Sequence, residues 1–79
     1  MTPAEETIRT VLTPFARNPI PDDVDASLFE LGVLDSFGLM DAVARLEEAF
    51  GVKVPDADLT PRRFETLAKI EAYFTSRAT

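Results

Sequence analysis

Apolar positions recur at helical spacing in three parts of this chain, and a long, differently patterned stretch separates the first two. Ile8, Val11, Leu12 and Phe15 form one stripe, which predicts a helix running to about Ala16. Thr2-Pro3-Ala4-Glu5 supplies its entry, with Thr2 as cap, Pro3 at the first helical position and Glu5 reaching back. Pro14 falls inside the stripe, lacks the N–H the turn needs, and is expected to kink or end the last turn. Further on, Leu39, Val43, Leu46 and Phe50 lie within about 60° of one another on a helical wheel. They predict a second helix, capped by Asp35 and stopped at Gly51, a residue suited to the left-handed position beyond a helix end. Val52 and Val54 read as a short extended piece before Pro55. Thr60 and Pro61 open a short helix, and Leu67, Ile70 and Phe74 predict a last one from near Thr66, with Tyr73 at its edge.

The stretch between the first two helices, residues 17–35, is too long for an ordinary connection and too apolar for a loose one. Ile20, Val24, Leu28, Phe29, Leu31, Val33 and Leu34 all need dry surroundings. Ser27 with Glu30 suggests a capping box over a single turn, which Gly32 ends. The pattern therefore predicts an all-α fold: a small four-helix bundle, three main helices plus one short one, with a long ordered first loop. It is read as a single domain over residues 1–79.

A chain of 79 residues has one core and buries about 60% of the surface exposed when unfolded, leaving little room for deep cavities. It contains no cysteine and no histidine. The usual general base near neutral pH, the commonest metal ligand and the thiol nucleophile are thus all missing, which argues against hydrolytic and metal-dependent catalysis. The acids at 22–25 invite a calcium-loop reading, but the sixth position counted from Asp23 is Leu28 and the twelfth is Leu34, where glycine and glutamate are needed. No metal site is expected.

Net charge is −6 and is unevenly placed: residues 21–60 hold ten acids against two bases, Arg45 and Lys53. An acidic face repels nucleic acid and anionic membrane and steers basic protein partners toward itself. With no apolar run of membrane-spanning length, and with Glu5 and Glu6 where a secretion signal would be apolar, a cytoplasmic protein is expected. A monomer is expected too, since the buried stripes account for most large apolar residues.

Ser36 opens the second helix roughly 60° from the apolar stripe, so its hydroxyl should reach solvent. Round the helix from it come Glu47, Met40, Ala44, Phe37, Glu48 and Asp41, a face mixing large apolar side chains with carboxylates. Apolar contact gives affinity and charge gives orientation, so this face suits repeated docking of partners. Ser36 cannot be a catalytic nucleophile, because no Gly-x-Ser-x-Gly surrounds it and no histidine can take its proton. Phe37 could equally fold back onto Leu34. Without a modification at Ser36, the same face would describe a small acidic helical adaptor that binds a partner groove.

The segment "LFELGVLDSFGLMDAVARLEEAFGVKVPDADL" resembles the acyl carrier protein family. Asp35-Ser36-Phe37 is similar to the family's Asp-Ser-Leu, and Glu47-Glu48-Ala49-Phe50 followed by Val54-Pro55-Asp56 is similar to the close of its second helix. The resemblance implies a non-enzymatic carrier. Ser36 would be esterified with 4′-phosphopantetheine from coenzyme A, beside Asp35, and an acyl or aminoacyl group would be held as a thioester on that arm. It also implies that Phe37, Met40, Asp41, Glu47 and Glu48 contact partners: a phosphopantetheinyl transferase, an acyl- or aminoacyl-loading ligase, and a downstream acyltransferase or synthase. Gly38 stands where fatty-acid carriers often have an acid, and is expected to allow a partner's close approach. "LDSFG" and "DLTPRRFETLAKI" look more like stand-alone D-alanyl and aminoacyl carriers than fatty-acid carriers.

Overall fold

A computed structural model describes residues 2–77. They form three α-helices, α1 (Pro3–Leu12), α2 (Ser36–Phe50) and α3 (Leu67–Arg77), with 3₁₀ turns at Thr13–Phe15, Asp56–Asp58 and Pro61–Phe64. No strand occurs among the described residues. The bundle is as expected, its short fourth element being the 3₁₀ turn at Pro61–Phe64.

The cap of α1 is half of the expected box. Thr2 Oγ1 accepts the Glu5 N–H at 3.1 Å, but the Glu5 carboxylate turns along the helix to Arg9 Nε at 3.0 Å instead of reaching back. Thr2 Oγ1 meanwhile donates to Glu71 Oε1 on α3 at 2.6 Å. α-helical geometry gives way after Leu12 to a tighter turn around Pro14, which supplies no N–H of its own. α2 matches its predicted limits, from the Asp35 cap to Gly51 at φ 66°. Thr66 begins α3 by accepting the Lys69 N–H at 3.1 Å.

The long first loop is ordered by hydrogen bonds across its own span and to the helices beside it. Arg9 donates through Nη1 to the Pro21 carbonyl at 2.8 Å and through Nη2 to the Asp22 carbonyl at 3.2 Å. Asn18 Nδ2 donates to the Leu31 and Gly32 carbonyls, each at 3.0 Å. The start of α3 completes the set: the Ala68 N–H reaches the Val24 carbonyl at 3.0 Å, and the Leu28 N–H reaches the Glu65 carbonyl at 2.8 Å. Ser27 Oγ accepts the Glu30 N–H, and Gly32 at φ 69° ends that turn.

These bonds carry Leu28, Val33 and Leu34 into the same core as Ile8, Leu12, Leu39, Leu46, Ile70 and Phe74. Ile20, Val24 and Phe29 pack against it half-buried. Leu31 departs from the expectation, standing 48% exposed. Tyr73, expected at the edge, is buried: its ring meets Phe64 edge-on at 5.0 Å and its hydroxyl donates to Asp58 Oδ2 at 2.9 Å. Phe50 at the end of α2 stacks on Phe74 of α3 at 5.4 Å.

Candidate functional site

Two loops and the start of α2 meet at Ser36. Asp35 holds the helix N-terminus: its Oδ1 accepts the Gly38 N–H at 2.7 Å, and its carbonyl accepts the Leu39 N–H at 2.8 Å. This is what places Ser36 at the first helical position with its side chain exposed. The amides of a first turn have no intrahelical acceptor, and they give the site a partial positive charge of fixed direction.

The other oxygen of Asp35 faces Arg17, with Nη2 to Oδ2 at 3.0 Å. Arg17 is itself fixed by its backbone, whose N–H donates to the Val33 carbonyl at 2.9 Å. Nothing in the sequence pattern singled Arg17 out. It lies in a charge-balanced segment beyond α1, and only the folding of the loop brings it to the serine's neighbour.

On another side Ser36 opens onto a cleft of about 440 Å³, lined also by Leu39, Met40, Asp56, Leu59 and Pro61. The 3₁₀ segments after α2 therefore form a wall of the site. Their position depends on Asp58, which accepts the Tyr73 hydroxyl and lies 3.7 Å from both Arg63 Nε and Arg77 Nη2.

Of the residues singled out for partner contact, Phe37 is 81% and Met40 57% exposed, so Phe37 does not fold back onto Leu34. Asp41 and Glu48 are exposed on the same face, Glu48 pairing with Arg45 at 3.3 Å. Glu47 is placed differently. It is half-buried, and its Oε2 accepts the Val54 N–H at 2.7 Å, tying the extended piece after α2 back to the helix. At Gly38 the chain itself comes close. A Cβ there would meet Asp35 Oδ1 at 3.3 Å, Leu34 Cδ2 at 3.7 Å and the Phe15 carbonyl at 3.8 Å, so the close approach is made by the chain's own loops.

The arrangement offers an exposed hydroxyl, a helix start favouring negative charge, a nearby guanidinium and no competing nucleophilic thiol or imidazole. These features fit a phosphodiester joined to a serine. The profile of the family described as "Phosphopantetheine attachment site" matches residues 6–74. D-alanyl carrier protein 2 of Lactiplantibacillus plantarum is 30% identical over 76 residues, covering 96% of this chain and 95% of the relative. The D-alanyl carrier protein of Streptococcus pyogenes serotype M5 is 32% identical over 66 residues, 84% of each chain. Fold, site chemistry and these matches agree, and the chain belongs to the acyl carrier protein family, carriers and not enzymes, whose phosphopantetheine is covalently attached.

Proposed function

We propose that Ser36 is the attachment residue and that the chain, as one carrier domain, bears an aminoacyl group, with D-alanine the first candidate. The observation carrying this reading is the exposed hydroxyl of Ser36 at the first position of α2, with Asp35 fixed beside it at 2.7 Å from the Gly38 N–H. The names of the relatives favour D-alanine over a fatty acyl group.

When bound, the arm supplies a terminal thiol that holds a carboxylic acid as a thioester. The chain's own residues do the rest. Asp35 orients Ser36 outward, so that a transferase can present coenzyme A to its oxygen. Phe37 and Met40 give partners an apolar contact, while Asp41 and Glu48 steer basic ones. Glu47 is held by Val54 and contributes charge to the face rather than a free side chain. A chain without histidine or cysteine holds no imidazole or thiol near its own thioester. The partners are a phosphopantetheinyl transferase, an aminoacyl-loading ligase and a downstream acyltransferase. No helix among the described residues is long and apolar enough to cross a membrane, and a cytoplasmic monomer fits this exchange among enzymes.

Intact mass after incubation with a phosphopantetheinyl transferase and coenzyme A tests the attachment. Wild type should gain one arm and Ser36→Ala none; an arm on Ser36→Ala would reject the assignment. Loading the armed protein in parallel with D-alanine, L-alanine and a fatty acid, each with its ligase, tests the cargo. Preference for the fatty acid would reject the aminoacyl reading.

A further inference from the structure

We infer that Arg17 is a positioning residue for the armed protein: its guanidinium, held at Asp35 in this structure, braces the phosphodiester that joins the arm to Ser36. This rests on the assignment of Ser36 as the attachment residue. Attachment puts an anion on the residue next to the Asp35 carboxylate, and Asp56 lines the same cleft. Beyond Arg62 and Arg63, which follow Pro61 in the chain and of which Arg63 lies 3.7 Å from Asp58, few cations stand by to offset this. The only bases in residues 21–60 are Arg45 and Lys53, and both are committed to other places. Arg45 pairs with Glu48 on α2, and Lys53 lies beyond the helix's C-terminal end at Gly51.

Arg17 comes from outside that acidic stretch. Its backbone N–H on the Val33 carbonyl at 2.9 Å fixes where the side chain starts, and Nη2 lies 3.0 Å from Asp35 Oδ2. The side chain is 74% exposed. A guanidinium carries five N–H donors in a planar fork suited to carboxylate and phosphate oxygens alike. One terminal nitrogen faces Asp35, and the exposed remainder can donate to a second anion next door. An exposed ion pair by itself adds little to folding, so the pair with Asp35 is a weak reason for an arginine here. A phosphodiester shared between this guanidinium and the first-turn amides of α2 is a stronger one.

A thermodynamic cycle separates the two roles. Wild type, Arg17→Gln and Arg17→Lys are each prepared without the arm and with it, intact mass reporting the state of every sample, and melted at low and high salt. If Arg17 braces the phosphodiester, Arg17→Gln lowers the melting temperature of the armed form by about 2–5 °C more than that of the unarmed form. The excess shrinks in high salt, and Arg17→Lys keeps part of it. The ³¹P resonance of the armed protein also shifts in Arg17→Gln. Equal losses in both forms with an unmoved ³¹P resonance would reduce Arg17 to a partner of Asp35 and overturn the inference. A wild type that takes no arm at Ser36 overturns the attachment reading instead, and the mass measurement shows which has failed.

Discussion

The Glu47 carboxylate accepts the Val54 N–H at 2.7 Å, so an acid on the face of α2 proposed to meet partners also holds the chain's own extended segment in place. Its neighbour Glu48 has only an exposed contact with Arg45. The two acids should therefore separate in experiment. Glu47→Ala leaves a half-buried N–H without its charged acceptor and should cost about 1.5–3 kcal/mol, read as a lower midpoint in urea. Glu48→Lys should change stability by less than about 0.5 kcal/mol yet slow loading by a partner enzyme, and added salt should reproduce the slowing in wild type. Loading rates indifferent to both charge and salt would rule out electrostatic steering by this face.

Phe37 and Met40 are the largest apolar side chains exposed on α2. Because neither is in the core, alanine at either position should leave the melting temperature almost unchanged, within about 0.5 kcal/mol. The same substitutions should raise the apparent KM of the loading or attachment enzymes. A variant that melts early instead would mean that these side chains support the fold.

Two glycines take left-handed φ but in different surroundings. Around Gly51 a Cβ would find open space, so Gly51→Ala should cost only the backbone strain, about 1 kcal/mol. At Gly32 a Cβ would fall 2.6 Å from Asn18 Nδ2, the atom that bonds the Leu31 and Gly32 carbonyls. Gly32→Ala should then lose strain and clamp together, about 2–3 kcal/mol. Denaturant unfolding of the two variants, with Asn18→Ala as a third, gives the comparison; equal losses at the two glycines would remove the clamp from the account.

Burial raises the pKa of Tyr73 above its ordinary value, and the hydrogen bond to Asp58 raises it further. A folded-state pKa above the unfolded one means that the native protein holds this proton more tightly. The associated stability is complete below about pH 10 and is lost as pH climbs through the folded value. Stability should therefore fall with pH in the alkaline range in wild type, and that part of the profile should flatten in Tyr73→Phe. Thermal melts at several alkaline pH values for both proteins provide the check.

The parts of this fold legible in the sequence were those with local causes. The stripe Leu39, Val43, Leu46 with a cap at Asp35 and a stop at Gly51 leaves one arrangement for α2, and the structure has it. Ser36 and Met40 follow from the same periodicity, whereas for Phe37 the pattern leaves open a fold back onto Leu34 that the structure does not show. What local pattern could not place were contacts made across the chain. Glu5 follows the capping-box spacing, but Arg9 attracts it along the helix. Leu31 looks like its apolar neighbours, yet the turn ended by Gly32 leaves it outside. Glu47 sits on the wheel beside Met40, but the returning Val54 amide claims its carboxylate. Arg17 carries no signal at all until loop closure brings it to Asp35.

Ser36 begins α2 and Phe50 ends it, stacked on Phe74 at 5.4 Å. The consequence is mechanical. A rod gripped along its buried side and seated at its far end by packed rings moves with the bundle as one body, so, with the arm on Ser36 as proposed, the reach toward an enzyme's reaction centre would come from the tether. The number of rotatable bonds in that tether then sets the local concentration of the cargo at a docked enzyme.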